Sequence, residues 1–264
     1  MKSAELQAYA AREIENIDAN VSLLVYDLIR EEALLSFDAE HKVVSASTIK
    51  TPIMLTALSR VQTGTLKMNQ MLPVYAPEVL ADTEVFDHGE PEYTLEELIT
   101  WMIINSDNTA TNVLIEFLGT DAVNAYCGTL GLKSTVLERK MLDWDAIRAG
   151  RNNYISASDL LVVFSKLYHQ SILTPELCGL ALRILKQQRD FSSAFRYICD
   201  SDLTAAHKTG GLNYLNHDAG IFYLPGSAYY FGCFVTDAME DSEENPIAKK
   251  LIGRLSKAVY EFYK

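Results

Sequence analysis

The pattern of apolar and polar residues divides the chain into two strand-rich ends and a helical middle. Near the N-terminus, helical spacing of apolar residues predicts a helix over residues 4–19, and the runs Val21 to Leu28 and Ala33 to Phe37 predict two strands. Near the C-terminus, strands are predicted from Ala219 to Leu224 and from Ala228 to Thr236, followed by an amphipathic helix. Strands from both ends can therefore pair in one sheet.

The middle of the chain carries helix signals. Apolar side chains cover most of the circumference of a predicted helix that contains Ser47 and ends at Gly64, so this helix should run through a core. A loop-rich stretch follows at residues 65–93. Thr94 opens the next helix with a capping box, whereas residues 134–155 are polar and irregular.

These elements predict an α+β fold. It is an α/β sandwich with an antiparallel sheet, plus an inserted all-helical domain. Residues 1–44 and 200–264 are predicted to form the sheet domain, and residues 45–199 the helical domain. We expect the functional site to lie between the two domains.

The charge balance narrows the possible partners. The chain has 35 Asp and Glu residues against 23 Lys and Arg, a net charge of −12. Nucleic acids and anionic membranes bind protein surfaces with clustered positive charge, so neither is an expected partner of this acidic chain. The first residues lack the apolar core of a signal peptide, and no apolar run is long enough to span a membrane. We expect a monomer acting on a small molecule in the cytoplasm; export is the alternative if a signal has been removed.

The four cysteines and five histidines show no spacing typical of a zinc site. No two cysteines form a Cys-x-x-Cys pair, and without an export signal we expect them to be reduced, buried and inert. The sequence therefore predicts neither a metal nor a cofactor.

Candidate chemistry begins in the buried helix, where Ser47 and Lys50 are three residues apart. On a helix, both side chains would lie on one face, a turn apart. A serine hydroxyl becomes a strong nucleophile when a base takes its proton, and a lysine can be that base if burial lowers its pKa from about 10.4. Taken alone, the pair has a second interpretation, an N-cap serine followed by a solvated lysine.

Two further tripeptides favour the chemical interpretation. Ser106-Asp107-Asn108 lies at the predicted joint between two helices, and Lys208-Thr209-Gly210 lies in a predicted strand. The chain contains each of the three motifs once. Ser47-x-x-Lys50 comes first, Ser106-Asp107-Asn108 second and Lys208-Thr209-Gly210 last. The set resembles class A β-lactamases and penicillin-binding proteins. The stretches Arg139 to Asp143 and His217 to Ile221 look like a β-lactamase-related branch and extend the resemblance over nearly the whole chain.

The resemblance implies a catalytic role for four residues. Ser47 would attack a carbonyl carbon and become acylated, with Lys50 as its base. Ser106 would relay a proton to the leaving nitrogen, beside the positive charge of Lys208. Two lysines close to one serine should also lower each other's pKa, which suits Lys50 as a base.

The resemblance also implies three substrate-binding residues. Asn108 would bind the substrate amide and hold Lys50 in place. Thr209 would bind the substrate carboxylate. The backbone N–H groups of Gly211 and Ser47 would form the oxyanion hole.

One element of the class A pattern is missing. Efficient class A enzymes carry Glu-x-x-x-Asn on a loop, and that glutamate activates the deacylating water. Glu138, Asp143 and Asp145 lie in the corresponding loop, but none is followed by Asn four residues later. Any of them could still act as the base, although solvation of the loop and packing at a helix end are the simpler interpretations. There is also no arginine near Ala219, where many β-lactamases bind a carboxylate.

The resemblance thus implies a serine hydrolase that is acylated at Ser47 by β-lactams or related amides and esters, with slow deacylation. Two alternatives stay open. One is a penicillin-binding or sensing protein of low turnover; the other is a D-Ala-D-Ala-type peptidase or esterase, which requires a location outside the cytoplasm. For His217 and Asp218 we favour a structural role in a turn ahead of the strand, because a Ser–Lys system needs no histidine.

Overall fold

A computed structural model describes residues 2–83, 85–86, 92–239 and 241–264 of the chain. The helices of this part are α1 Ser3–Glu15, α2 Lys50–Gln62, α3 Leu95–Ile104, α4 Asn108–Leu118, α5 Thr120–Thr129, α6 Trp144–Arg148, α7 Ala157–Tyr168, α8 Pro175–Leu185 and α9 Ile247–Tyr263. The strands are β1 Asn20–Asp27, β2 Glu32–Phe37, β3 Val43–Val44, β4 Met71–Pro73, β5 Glu92–Thr94, β6 Tyr154–Ile155, β7 Thr204–Leu212, β8 Leu215–Leu224 and β9 Ser227–Thr236.

Strands from both ends of the chain form one antiparallel sheet in the order β2-β1-β9-β8-β7. Leu23 of β1 lies opposite Cys233 of β9, and Lys208 of β7 lies opposite Ala219 of β8. Strands β8 and β9 are buried along almost their whole length. They are buried because helices cover both faces of the sheet, although β8 includes the polar residues Asn216, His217 and Asp218. The predicted α+β fold with an antiparallel sheet is confirmed.

Each face of the sheet packs against a separate hydrophobic core. On one face, α1 and α9 bury side chains such as Leu6 and Leu251 against Val25 and Phe231. On the other face, α2 and α7 belong to a larger core that includes Tyr230 and extends through the helical part of the chain. Full burial of one such side chain contributes about 1.5–3 kcal/mol, so these cores fix the sheet and helices relative to each other.

Helix α2 is buried from Lys50 to Leu58, as its apolar circumference predicts. Ser47, however, does not lie in this helix. It lies on a separate 3-10 turn, Ala46–Ile49, that runs directly into α2. Ser47 therefore lies one tight turn before α2, and Lys50 is the first residue of α2.

Several predicted boundaries need correction. Helix α5 was not predicted, because only Val123 and Cys127 of its residues are buried and its apolar pattern is weak. The polar segment 134–155 contains the short helix α6 and strand β6. Cys199 is exposed, whereas Cys127, Cys178 and Cys233 are buried as expected.

Part of the predicted loop 65–93, residues 84 and 87–91, lies outside the described residues. The division into domains 1–44 with 200–264 and 45–199 stays a prediction.

None of the helices in the described part of the chain has the length and apolar character needed to cross a bilayer.

Candidate active site

The three motifs meet in one cleft between the helices and the edge of the sheet at β7. We call it the motif cleft; its volume is about 590 Å³. Residues from all three motifs line it: Ser47, Ser106, Asp107, Asn108, Thr209 and Gly210, with Gly211 beside them. The fold thus brings together segments that are far apart in the sequence. Of the predicted site residues, Lys50 and Lys208 lie behind this lining and are fully buried.

Ser47 is held at the floor of the motif cleft by a tight approach of β7. A β-carbon added at Gly210 would lie 3.1 Å from the backbone nitrogen of Ser47 and 3.2 Å from the carbonyl oxygen of Ser45. Only a glycine fits there without displacing the turn. Ala46, just before the serine, has a φ of +42°, a conformation that costs a non-glycine residue about 1–2 kcal/mol. The Ser47 hydroxyl accepts or donates no hydrogen bond among the described residues, so it is free to meet a substrate.

The buried side-chain nitrogen of Lys50 contacts three hydrogen-bond acceptors. Its Nζ donates to the Ser106 carbonyl oxygen at 2.6 Å, to Ser106 Oγ at 3.1 Å and to Asn108 Oδ1 at 2.7 Å. Burial lowers the pKa of Lys50 well below its usual value, and the positive charge of Lys208 lowers it further. The Asp107 and Asp82 carboxylates oppose this shift. A lysine whose pKa is lowered in this way, one turn from a serine hydroxyl, can act as a base toward it.

Ser106 Oγ bridges the two lysines. Lys208 Nζ donates to it at 3.1 Å, the same distance as from Lys50, and also donates to the Thr209 carbonyl oxygen at 2.9 Å. Burial lowers the pKa of Lys208 to about 8, although Asp190 and Asp218 act in the opposite direction. A hydroxyl that accepts from two amines keeps its own hydrogen for a group in the cleft.

The joint between α3 and α4 is strained in a way that serves Lys50. Ser106 has a φ of +56°, in the left-handed region that side chains rarely adopt. This conformation lets both the carbonyl oxygen and the hydroxyl of Ser106 reach the same amine. Asp107 then caps α4, where its Oδ1 accepts the N–H of Ala110 at 2.7 Å. Strain of this kind concentrates at functional sites.

A second cleft, the loop cleft, adjoins the first at Ser47 and has a volume of about 520 Å³. Its far wall is the loop before α6, and its lining is largely apolar: Met141, Leu142, Trp144, Ile147, Leu212 and Tyr214. Ser47, Asn108, Gly211 and the exposed Asp82 line both clefts. A molecule bonded to Ser47 can therefore extend into either one.

Asparagine side chains hold the loop of the second cleft in place. Asn112 Oδ1 accepts the backbone N–H of Met141 at 2.7 Å, and Asn112 Nδ2 donates to the Met141 carbonyl at 3.1 Å. Asn124 makes the same pair of bonds to Leu137, both at 2.8 Å. These bonds hold the backbone of Met141 beside the loop cleft, and Asn112, which makes two of them, lies one turn along α4 from Asn108.

The three carboxylates of this loop that were candidate bases are used elsewhere. Glu138 accepts the backbone N–H of Asn152 at 3.1 Å. Asp143 caps the first turn of α6, and Asp145 forms an ion pair with Arg148. None of the three lines either cleft. The residues of this loop that line the loop cleft together with Ser47 and Asn108 are Arg139, Met141 and Leu142, none of which is a carboxylate.

His217 and Asp218 lie inside β8, which begins at Leu215, and not in a turn before the strand. His217 Nε2 donates to the Val44 carbonyl at 2.8 Å, and burial lowers the pKa of His217 to about 4. Asp218 accepts from His207 Nδ1 at 2.7 Å and from the Ala194 N–H at 3.0 Å. Neither lines the two clefts, which agrees with a structural role.

Sequence reasoning missed Asp82, Asn112, Met141 and Arg189, of which Asp82, Met141 and Arg189 line a cleft. One signal was available: Asn112 lies four residues after Asn108, on the same helical face, where an asparagine needs a partner. Asp82 and Arg189 lie outside helices and strands, where periodicity carries no information. In the described residues, no group of three or more His, Cys, Asp or Glu side chains is arranged to hold a metal ion.

Comparison with known proteins gives a consistent result. The model of the beta-lactamase enzyme family matches residues 3–263. Beta-lactamase VEB-1 of Pseudomonas aeruginosa is 23% identical over 272 residues, which cover 95% of this chain and 89% of the relative.

Two solved structures share the fold over nearly their full length. The β-lactamase from Sphaerobacter thermophilus is 24% identical, with a TM-score of 0.87 and coverage of 99% of this chain and 98% of the other. PBP-A is 25% identical, with a TM-score of 0.88 and coverage of 98% and 96%. The chain therefore belongs to the beta-lactamase enzyme family and is a serine hydrolase of the β-lactamase type.

Proposed function

We propose that β-lactams, or amides and esters of similar shape, acylate Ser47 and that the acyl group is released slowly. The observation that carries the proposal is the buried Lys50 amine, whose pKa is well below its usual value. It lies one turn from a serine whose hydroxyl has no partner among the described residues. Lys50 takes the proton as Ser47 Oγ bonds to the carbonyl carbon.

The other motif residues complete the step. The bond from the carbonyl carbon to the lactam nitrogen breaks, and the nitrogen receives a proton through Ser106 Oγ, which lies 3.1 Å from both lysine amines. Asn108 binds the side-chain amide of the substrate. Thr209 binds the substrate carboxylate with the help of the charge on Lys208.

The oxyanion that forms during attack needs two donors. The backbone N–H groups of Ser47 and Gly211 are our candidates, since both residues line both clefts. The close packing of Gly210 on the Ser47 turn supports this role, because it holds the turn against β7. Donors fixed in this way need no rearrangement as the negative charge develops.

Slow release follows from the loop cleft. Hydrolysis of the acyl-enzyme needs a water next to the ester with a base in hydrogen-bond reach. The loop residues that line this cleft are Arg139, Met141 and Leu142, and none of these side chains is a good proton acceptor. Losing a general base costs about 10²–10⁴ in rate.

The first prediction concerns the time course with a chromogenic cephalosporin. We expect a burst of about one product equivalent per enzyme, followed by a slow linear phase, because acylation is supported by a base and deacylation is not. Stopped-flow absorbance at several enzyme concentrations measures the burst amplitude. A linear time course without a burst, at a rate typical of efficient enzymes, would overturn slow release.

The second prediction concerns pH. Acylation needs Lys50 neutral and Lys208 protonated, so the rate should fall as pH rises through about 8, the pKa of Lys208. Lys208→Arg should remove this falling limb, because a guanidinium stays charged. The acylation rate constant, measured from pH 6 to 10 for both proteins, tests the assignment. An identical falling limb in Lys208→Arg would show that another group titrates there.

A second candidate function is that of a low-turnover penicillin-binding protein or a peptidase on D-Ala-D-Ala-type substrates. The likeness to PBP-A and the position of Met141 favour it. A peptide ending in D-Ala-D-Ala and its thioester analogue separate the two. Steady release of the terminal group, together with a persistent penicillin adduct, would favour the peptidase or esterase.

A further inference from the structure

The carboxylate of Asp82 lies at the border of the two clefts and has no assigned role. Asp82 lines both clefts together with Ser47. Its Oδ2 accepts a hydrogen bond from Asn108 Nδ2 at 2.6 Å. The side chain is exposed, and it forms no ion pair with any cation of the described residues. A negative charge is thus open to whatever occupies the clefts.

The hydrogen bond also fixes how Asn108 faces a substrate. Asn108 Oδ1 accepts from Lys50 at 2.7 Å, so the amide nitrogen must point toward Asp82. An amide nitrogen has two hydrogens, and only one of them is used by Asp82. A substrate carbonyl that accepts the second hydrogen would lie about 5 Å from the carboxylate oxygen, from ordinary hydrogen-bond lengths on both sides. A substituent on the carbon next to that carbonyl can then reach Asp82.

The negative charge of Asp82 influences the pKa values of other residues in the site. Its charge raises the pKa of Lys50 against the larger effect of burial. It also contributes to the raised pKa of Asp107, where burial is the main cause. A cation placed beside Asp82 would therefore be attracted, and a second anion would be repelled.

We propose that Asp82 selects substrates whose acyl group carries a positively charged amine on the carbon next to its carbonyl, that is, aminoacyl β-lactams or aminoacyl amides. The proposal rests on the acylation of Ser47 proposed above. The apolar wall of the loop cleft, with the exposed rings of Trp144 and Tyr214, would take the hydrophobic remainder of such an acyl group. Asp82 is thus a specificity residue and not the nucleophile or its base.

Three penicillins that differ at one position test the selection. Ampicillin carries an ammonium on this carbon, benzylpenicillin carries only hydrogen, and carbenicillin carries a carboxylate; the phenyl ring and the β-lactam nucleus are shared. Second-order rate constants for adduct formation would be measured by intact mass for the wild-type protein, Asp82→Asn and Asp145→Asn. Asp82→Asn keeps a hydrogen-bond acceptor for Asn108 and removes only the charge. Asp145→Asn makes the same change in charge at a residue that lines neither cleft.

We expect the ratio of ampicillin to benzylpenicillin to fall about fivefold in Asp82→Asn, and the ratio of carbenicillin to benzylpenicillin to rise about fivefold, as for one solvent-exposed charge pair. Asp145→Asn should keep the wild-type ratios. Unchanged ratios in Asp82→Asn, with adducts still forming, would overturn the selection and leave the acylation intact. Absence of any adduct in the wild-type protein would instead overturn the proposed function. If Asp82→Asn slowed loss of all three adducts equally and left the ratios unchanged, Asp82 would act in deacylation and the selection would be wrong.

Discussion

Lys50→Ala should lower the rate of Ser47 acylation by about 10²–10⁴-fold, the usual contribution of a general base. The reason is the Lys50 amine, which lies one turn along the chain from the nucleophile and whose pKa burial and the charge of Lys208 lower well below its usual value. Lys50→Ala removes the amine that is proposed to accept the proton of the Ser47 hydroxyl. Rapid mixing with benzylpenicillin followed by intact-mass analysis gives the acylation rate of each protein.

Two variants separate the loss of a base from the loss of a fold. Lys50→Met keeps most of the side-chain volume in the core of α2 and should be as slow as Lys50→Ala. Lys50→Arg keeps a positive charge but should not restore the rate, because a guanidinium cannot accept the proton. Lys257→Ala, at an exposed position of α9, should acylate at the wild-type rate. An unchanged rate in folded Lys50→Met would rule Lys50 out as the base.

Met141→Glu should have the opposite effect on the second step and accelerate deacylation by about 10²–10⁴-fold. Asn112 holds the backbone of this residue by two hydrogen bonds that do not depend on its side chain. A glutamate there would add a carboxylate to the lining that Met141 shares with Ser47 and Asn108. Burial raises the pKa of a carboxyl group toward the range in which it serves as a base near neutral pH.

The control for this variant is Met141→Gln, which has the shape of glutamate without its charge. We expect Met141→Gln to keep the penicillin adduct for as long as the wild-type protein does. The loss of adduct after removal of free penicillin, followed by intact mass, measures deacylation directly. If Met141→Glu folds and its adduct decays no faster than that of Met141→Gln, the loop does not lack a base at this position.

Much of the site was predictable because its residues lie on or directly beside regular elements. The apolar circumference of α2 implies that Lys50 is buried, and the break between two amphipathic helices places Ser106 in a joint. The sheet followed from apolar runs at both ends of the chain. In each case local periodicity and the tertiary environment agree.

The remaining features depend on contacts that the local sequence does not reveal. Strand β8 begins before Ala219 because His217 and Asp218, polar residues that look like a turn, are buried by partners on other segments. Met141 lines the loop cleft, where Asn112, 29 residues earlier in the chain, holds its backbone by two hydrogen bonds. Asp82 lies in a loop without periodicity, and its position is defined by a hydrogen bond to Asn108.

The most direct test of the central claim, a covalent acyl group on Ser47, is the intact mass of the wild-type protein and of Ser47→Ala after incubation with benzylpenicillin. We expect a mass increase of one penicillin on the wild-type protein that persists after removal of free penicillin and maps to the peptide containing Ser47. Ser47→Ala should keep its fold, because the Ser47 hydroxyl has no partner among the described residues, and should show no increase. An adduct of equal yield on Ser47→Ala, or a wild-type protein that consumes penicillin rapidly without detectable adduct, would contradict the account.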